Sequence, residues 1–222
     1  MKKIKRTFVF INKWGFYTFV KECIDRIVDH YYEMYFNIDT TGYVTTEELK
    51  SEHPDWGGYG AVYYSYMINT LSKLEVDIPS STLLDYGCGK GRVLAYAASR
   101  NYKKIIGVEN SKFLMERARE NIQKMKHRRT SDVLLEECDA QNFQIPSSVN
   151  IIYFYKPFGG LTLERVIENI NFSYKKLPRR IYIIFWNDDE FEKMIINHKW
   201  ITQTHHSQPH PVISCGIYET NP

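Results

Sequence analysis

A glycine-rich turn next to an acidic residue is the part of the sequence best suited to bind a small polar ligand. It lies in residues 83–93, LLDYGCGKGRV, where Asp85 precedes three glycines, Gly87, Gly89 and Gly91. Glycine lets the backbone turn sharply and approach a ligand closely. A carboxylate at the end of the preceding strand offers acceptors to a ligand ammonium or hydroxyl group. The turn therefore predicts a ligand-binding site.

The spacing of these glycines indicates which ligands are excluded. A dinucleotide-binding turn, G-x-G-x-x-G, requires a third glycine at position 92. The chain has Arg92 there, and its third glycine comes one residue earlier. The phosphate-binding pattern G-x-x-x-x-G-K-[ST] is absent as well. An acidic residue followed by G-x-G-x-G favours a ligand that has an amino-acid end and no pyrophosphate.

The turn lies between a predicted strand and a predicted helix. From residue 81 onward, short apolar runs of strand length alternate with segments whose apolar residues recur at helical spacing. This alternation predicts βαβ units and a parallel sheet that is buried on both faces. The last two runs predict a closing hairpin joined by a His/Pro loop. The predicted strands are Thr82–Tyr86, Ile105–Glu109, Val133–Glu137, Ile151–Tyr155, Ile181–Trp186, Trp200–Thr204 and Val212–Tyr218.

Helical patterns occupy most of the chain before this alternation begins. The first 36 residues predict a helix, a Gly/Pro-rich loop follows at Glu52–Gly60, and Tyr63–Leu74 predicts a second helix. A short helix N-capped by Asn187 is predicted after the fifth strand. The apolar stripe of the first helix consists of Phe16, Phe19, Val20, Cys23, Ile24, Ile27, Tyr31 and Met34.

The predicted fold is therefore α/β. It is a doubly wound, mostly parallel seven-stranded sheet with a C-terminal antiparallel hairpin and an N-terminal helical cap. We expect residues 1–80 to form the cap and residues 81–222 to form the ligand-binding core. In such a sheet, ligands bind at the carboxyl ends of the strands.

The motif and the acidic residues that follow it resemble the class I S-adenosylmethionine-dependent methyltransferases. The resemblance covers about residues 81–220 and implies that S-adenosylmethionine is the cofactor. It implies that the turn, with Asp85 and Cys88, holds the methionine end of the cofactor. It further implies that Glu109 and the adjacent Asn110 bind the ribose hydroxyls.

The resemblance also assigns residues to the adenine and to the methyl group. Asp139 is implied as the acceptor for the adenine amino group, with Ala140 contacting the ring. Tyr155 belongs to the segment that faces the methyl group. An N-terminal cap closes over the cofactor in many small methyltransferases, and this places Tyr59 against the methionine end. The tyrosines predicted to line the same pocket are Tyr31, Tyr32, Tyr35, Tyr63, Tyr64 and Tyr66.

The segment after the fourth strand departs from the pattern of amino-directed nucleic-acid methyltransferases. Those enzymes resemble one another in (Asn/Asp)-Pro-Pro-(Tyr/Phe), where the first residue accepts hydrogen bonds from the target amino group. This chain has Lys156, Pro157 and Phe158, so that acceptor is missing. The three residues are predicted to contact substrate, with a simple strand end broken by the proline as the alternative. Tyr155 and Lys156 are the candidate catalytic residues, and no general base is assigned.

Composition limits the partners and the cellular setting. Lys and Arg number 29 and Asp and Glu 26, and an excess this small argues against a nucleic-acid partner. The four cysteines, Cys23, Cys88, Cys138 and Cys215, form no C-x-x-C pair, which argues against zinc and disulfides and predicts a cytoplasmic protein. No stretch has the 18 or more apolar residues of a membrane span.

The sequence thus predicts an S-adenosylmethionine-dependent methyltransferase that acts on a small molecule or a protein side chain. Two alternatives stay open, a non-catalytic module that binds the cofactor or its demethylated product, and an RNA methyltransferase. The cluster of His205, His206 and His210 could bind a metal or could be ordinary loop histidines, and no metal is assigned. The acceptor atom and the oligomeric state are left open.

Overall fold

The computed structural model of the chain describes Val9, residues 11–49 and residues 53–221. Two short strands precede the main sheet, and seven strands form it. In chain order the strands are β1 Tyr43–Val44, β2 Tyr59–Gly60, β3 Thr82–Tyr86, β4 Lys104–Glu109, β5 Val133–Glu137, β6 Val149–Phe154, β7 Tyr182–Trp186, β8 Ile201–His210 and β9 Ile213–Thr220. The helices are α1 Phe16–Phe36, α2 Tyr64–Leu71, α3 Arg92–Ala98, α4 Lys112–Lys124, α5 Gly160–Lys176 and α6 Asp189–Ile195.

The main sheet has the order β5-β4-β3-β6-β7-β9-β8. Strands β3 to β7 pair in parallel, while β9 is antiparallel to β7 and to β8. This confirms the predicted doubly wound sheet with a C-terminal hairpin. Every residue of β3 and β7 is buried, because helices cover both faces of the sheet. The carboxyl ends of β3, β4 and β5 consequently lie next to one another at one edge.

The hairpin differs from its prediction in length. The His/Pro segment expected to be a loop continues β8 as far as His210, and a tight turn then leads into β9. Residues 205–207 and His210 pair with β9 residues in the ladder. The register is irregular between Ser207 and His210, which accommodates Pro209, a residue without a backbone N–H to donate. The histidines are therefore strand residues. His206 lies 3.7 Å from the Asp188 carboxylate, and no metal-binding group of three side chains occurs within the described ranges.

The short helix after β7 begins one residue later than predicted. Asp188 occupies the N-cap position, while Asn187 adopts a left-handed conformation with φ 53°. The Asn187 side chain accepts a hydrogen bond from the backbone of Ser214 at 3.3 Å instead of capping the helix. Asp188 is fully buried, where Ser214 and Tyr218 donate hydroxyl hydrogen bonds to it. The hairpin and not the helix therefore satisfies this carboxylate.

The first helix is oriented against its apolar pattern. Of the helix predicted over the first 36 residues, residues 1–8 and 10 lie outside the described part, residues 11–14 are helical, and α1 follows Gly15. Asp25 and Glu33 are buried in α1, whereas much of the apolar stripe faces solvent. Polar contacts with the core, described below, hold the helix in this orientation.

The remaining cap consists of β1, β2 and α2. The predicted loop at residues 52–60 includes residue 52, which lies outside the described part, and ends in β2. Strand β2 pairs with β1, and Trp56 forms an isolated bridge with Phe158 of the core. The division into a cap of residues 1–80 and a core of residues 81–222 stays a prediction. No helix in the described part of the chain is long and apolar enough to cross a membrane.

Candidate functional site

The glycine-rich turn connects β3 to α3 in a conformation that only glycine adopts easily. The φ angles of Gly87, Gly89 and Gly91 are 68°, 55° and 84°. The backbone N–H groups of Gly87 and Cys88 both donate to the carbonyl of Val108 in β4, at 2.8 and 3.0 Å. A Cβ on Gly87 would lie 2.2 Å from Cβ of Pro157. The turn is thus folded tightly between β4 and the segment after β6.

Three carboxylates stand at the ends of adjacent parallel strands. Asp85 is in β3, Glu109 ends β4, and Asp139 follows β5. Asp85 and Glu109 are buried. The Glu109 carboxylate accepts hydrogen bonds from the backbone N–H of Gly89 at 3.0 Å and of Ser111 at 2.9 Å. It therefore links the glycine turn to the start of α4.

A cavity of about 380 Å³ opens at this edge of the sheet. Its volume lies within the range of small-molecule sites. Most of the residues predicted to bind cofactor or substrate line it, namely Tyr59, Asp85, Gly87, Cys88, Glu109, Asn110, Asp139, Ala140, Tyr155, Lys156, Pro157 and Phe158. Two predicted residues do not: Gly91 packs against Ala118 of α4, and Gly89 lies beneath the Tyr59 ring.

Tyr59 closes the cavity from the cap side. A Cβ on Gly89 would come within 2.3 Å of Cε2 of the Tyr59 ring, so the two residues are in close contact. The Tyr59 hydroxyl donates to the carbonyl of Thr40 at 2.6 Å, and the Lys90 ammonium lies 5.0 Å from the ring centroid. This arrangement places an aromatic cover on the turn. The predicted contact of Tyr59 with the methionine end of a cofactor stays a prediction.

Arg92 is the main cavity residue that the sequence analysis missed. It is buried at the start of α3, lines the cavity, and binds the cap through four polar contacts. Its guanidinium lies 2.6 Å from Asp29 and 3.3 Å from Glu33 of α1. It also donates to the Thr40 hydroxyl and the Val62 carbonyl, both at 2.8 Å. The sequence offers one signal, an arginine directly after the third glycine of the turn, and the sequence analysis uses it only to exclude a dinucleotide.

The segment after β6 packs against the glycine turn and lines the same cavity. Lys156 has a left-handed φ of 43°, an uncommon conformation for a residue with a side chain. Phe158 is buried against Tyr86 and Phe154, with edge-on ring contacts to both. Pro157 fills the space above Gly87. Of the three residues predicted to contact substrate, Phe158 thus also has a packing role, in line with the alternative of a proline-broken strand end.

A second cavity, of about 370 Å³, lies between the cap and the carboxyl end of β7. The Tyr155 ring, which lines the first cavity, meets the ring of Trp186 edge-on with centroids 6.0 Å apart. Trp186 lines the second cavity and stacks on Tyr66 at 6.0 Å. Lys21 lies 3.9 Å above the Tyr66 ring and 3.1 Å from the Asp25 carboxylate. None of the six tyrosines predicted to share a pocket with Tyr59 lines the first cavity; Tyr66 lines the second one, and Tyr31 and Tyr35 are exposed.

The acid–base state of the site is controlled by burial. Desolvation raises the pKa of the Cys88 thiol well above its usual range, so this cysteine is not a thiolate nucleophile. Burial also raises the pKa of the Tyr155 hydroxyl, which keeps its proton at neutral pH. Neither side chain therefore acts as a base in this state.

Removing the charge of Glu109 is expected to weaken ligand binding at the first cavity. In Glu109→Gln, the amide NH₂ would face the N–H of Gly89 or Ser111, and both are donors. We expect S-adenosylmethionine affinity to fall about 10- to 100-fold, which corresponds to one or two charged hydrogen bonds. Calorimetric titration measures it. Glu137→Gln, at the end of the neighbouring strand in an exposed pair with Arg119, is the control and should bind normally.

Stability of the unliganded protein is expected to depend on Asp85 ionisation. Burial, and secondarily the Glu109 carboxylate, raise the pKa of Asp85 well above its usual range. A raised folded-state pKa contributes stability below the unfolded pKa, and this contribution is lost as pH rises through the folded value. We expect Tm to rise as pH is lowered from about 8 to about 5.5, and this slope to be smaller in Asp85→Asn. An unchanged slope in Asp85→Asn, or an equal change in the exposed Asp132→Asn, would contradict the assignment.

Comparisons with known proteins agree with this geometry. Residues 83–174 match the sequence profile of a family described as a methyltransferase domain. No curated protein matches the sequence. The structure is similar to an RNA methyltransferase from Salinibacter ruber solved in complex with S-adenosyl-L-homocysteine, at 16% identity and a TM-score of 0.54, covering 72% of this chain and 93% of that one.

Two further solved structures share the fold. One is a SAM dependent methyltransferase from Aquifex aeolicus, at 12% identity and a TM-score of 0.54, with 70% of this chain and 89% of that one covered. The other is a ribosomal protein L11 methylase from Lactobacillus delbrueckii subsp. bulgaricus, at 14% identity and a TM-score of 0.52, with 70% and 77% covered. At these identities the likeness establishes the fold and leaves the substrate to be argued from this chain.

Proposed function

We propose that this chain, a class I S-adenosylmethionine-dependent methyltransferase, methylates a small molecule or a protein side chain. The enzyme class and the cofactor follow from the methyltransferase domain at residues 83–174 together with the fold. The nature of the acceptor is our proposal. The four free cysteines support the further proposal that the enzyme works in the reducing cytoplasm.

The residues around the first cavity fit S-adenosylmethionine. The cofactor has an ammonium and a sulfonium, a ribose diol and an adenine amino group, and the three strand-end carboxylates supply acceptors spaced along one edge. We propose that Asp85 takes the methionine end, Glu109 the ribose and Asp139 the adenine. The Asp139 carboxylate also accepts from the backbone and side chain of Gln141, at 3.1 and 2.7 Å, which fixes its direction.

The single observation that carries the proposed acceptor class is the second cavity, which is lined by Trp186, the residue whose ring contacts Tyr155. Its volume of about 370 Å³ suits one side chain or a small molecule. Its charges are balanced, because Lys21 pairs with Asp25. A polynucleotide acceptor is expected to meet a basic surface with unpaired Lys or Arg. The remaining lining is aromatic and hydroxylic, with Tyr66, Trp186 and Ser207.

The chain's own residues position the reactants and exclude water. The bound cofactor supplies an activated methyl group, and transfer to a nucleophile is an in-line displacement that needs alignment more than acid–base help. The aromatic side chains Tyr59, Tyr155 and Phe158 make the cavity wall and keep solvent out. Tyr155 holds its proton, so its hydroxyl serves as a hydrogen-bond donor or acceptor to the acceptor group and not as the base.

The test is methyl transfer into fractions of an extract from the source organism. The extract is separated into small molecules, protein and RNA, and each is incubated with enzyme and methyl-labelled S-adenosylmethionine. We expect S-adenosylhomocysteine formation and label in the small-molecule or the protein fraction. Gly89→Val is the inactive control. Label in RNA alone would overturn the proposed acceptor class, and cofactor binding without turnover in any fraction would favour a non-catalytic binding module.

A further inference from the structure

The solvent side of α1 is unusually apolar for a surface helix. Eight large apolar or aromatic side chains expose between 37% and 80% of their area there. We name this surface the α1 outer face, and its members are Phe16, Tyr17, Val20, Ile24, Ile27, Tyr31, Met34 and Tyr35. Monomeric proteins rarely expose a contiguous apolar patch larger than a few hundred Å². An occupant for this face is therefore expected.

The helix cannot hide this face by rolling about its axis. On the opposite side, Asp25 accepts from the Ser65 hydroxyl at 2.6 Å, and Asp29 accepts from the backbone of Tyr64 at 2.8 Å. Arg92 binds Asp29 and Glu33 as described above. Rolling would expose or break these buried charged contacts, which is strongly destabilising. The polar anchors thus fix the apolar residues toward solvent.

The spacing within the α1 outer face matches that of a helix-pairing seam. Val20, Ile24, Ile27, Tyr31 and Met34 follow one another at intervals of four, three, four and three residues. This alternation averages about 3.5 residues, the spacing of the contacts along the seam between two paired helices. The helix spans 21 residues, or about 30 Å, so the seam runs along most of its length.

Area and charge are both adequate for a stable pair. With aromatic side chains offering about 150–250 Å² each, the measured exposures amount to on the order of 900 Å² per copy. Standard interfaces bury roughly 800 Å² per partner. The one exposed Lys or Arg of α1 is Arg26, and it is already paired with Glu22 at 2.6 Å. The basic residues that an anionic membrane surface would attract precede α1 in the sequence, at Lys2, Lys3, Lys5, Arg6 and Lys13, and none of them belongs to the α1 outer face.

From these observations we infer that the α1 outer face binds the same face of a second copy of this chain. The result is a two-fold symmetric dimer in which the two α1 helices pair along their seams. The inference is independent of the proposed methyl acceptor, because none of the residues of the α1 outer face lines either cavity.

The test is the solution mass of the full chain by size exclusion with light scattering, at concentrations from about 1 to about 100 µM. We expect twice the chain mass of 26.3 kDa. Ile27→Asp buries two unpaired charges per dimer and should raise the dimer dissociation constant at least about 100-fold. Ile27 is 69% exposed, so the folded monomer should tolerate the change. The matched control is Phe172→Asp on α5, which is 70% exposed and should remain dimeric.

Two further measurements distinguish a lost dimer contact from misfolding and from lipid binding. Far-ultraviolet circular dichroism and S-adenosylmethionine titration establish that Ile27→Asp is folded. Co-sedimentation with vesicles of phosphatidylglycerol tests the lipid alternative. A wild-type protein that is monomeric at every concentration overturns the inference, whether or not it binds vesicles. A dimer that Ile27→Asp leaves intact also overturns it, because the contact would then lie elsewhere.

Discussion

Replacing Gly89 by valine is expected to lower S-adenosylmethionine affinity by about 100-fold or more. Two effects disfavour the conformation of the turn on which the first cavity is built, so ligand binding would have to restore that conformation. At φ 55° a β-branched residue is strained, by roughly 1–2 kcal/mol. Its Cβ would also lie 2.3 Å from the Tyr59 ring, and overpacking of this kind costs about 1–3 kcal/mol. The ring cannot yield without losing its hydroxyl bond to Thr40.

The same substitution at Gly57 separates this effect from general damage to the site. Gly57 also lines the first cavity, but a Cβ there meets nothing within 4 Å. Gly57→Val should therefore bind within about threefold of wild type, by calorimetric titration. Equal losses in the two variants would mean that the cavity wall tolerates no bulk anywhere, and the specific role of the Tyr59–Gly89 contact would be wrong. Thermal melts exclude unfolding as the cause.

The sheet and the placement of its acidic residues could be predicted because buried parallel strands leave a strong pattern. In β3 and β7 every residue is buried, so both strands are rich in apolar residues, and a polar residue, Asp85 or Asn187, comes within one residue of the strand end. The bounds of β3 and β5 agree with those predicted, and Asp85, Glu109 and Asp139 all line one cavity. In these strands the apolar residues that favour a β-strand are also the residues that burial between two layers of helices requires.

The cap could not be predicted in the same way, because its contacts are between residues far apart in sequence. The apolar stripe of α1 indicated a buried face, yet Ile24 is 54% exposed and Asp25 is 3% exposed. The orientation is determined by Arg92, 63 residues after Asp29. The periodicity of a single helix does not reveal a pairing with a residue so distant in sequence. Leaving the buried Arg92 guanidinium unpaired would cost more free energy than leaving several aliphatic side chains of α1 exposed to water.

The hairpin illustrates the same limit on a smaller scale. Proline and three histidines favoured a loop, but pairing with β9 extends β8 to His210. An edge strand tolerates proline because one side of its backbone needs no partner. Whether β8 would be an edge depended on the sheet order, which the sequence of the hairpin alone does not contain.

Arg92→Met is expected to cause the largest loss of stability of any single substitution considered. Methionine retains the unbranched stem of the side chain, is shorter than arginine, and removes the cation from between Asp29 and Glu33. Breaking a buried ion pair by removing one partner costs about 3–5 kcal/mol in free energy of unfolding. For a chain of this size that corresponds to a Tm lower by roughly 10 °C. Urea unfolding and calorimetry measure it.

Two comparisons determine whether the lost charge is the cause. Arg119→Met removes an exposed pair with Glu137 and should cost less than about 1 kcal/mol. Arg92→Met/Asp29→Asn/Glu33→Gln leaves no buried charge unpaired and should recover much of the stability. If the triple variant is as unstable as Arg92→Met, then packing of the arginine stem and not its charge holds the cap.

The pH dependence of the same variant gives an independent check. Burial raises the pKa of Asp29, and the Arg92 guanidinium opposes that rise. Without Arg92 the folded-state pKa of Asp29 should rise further. Because a raised folded pKa contributes stability that is lost as pH increases through it, the deficit of Arg92→Met should be largest near neutral pH and shrink on acidification. A deficit that is constant with pH would show that Asp29 stays solvated after the substitution. The cap would then owe its position to α2 and the aromatic contacts between Tyr32 and Tyr64.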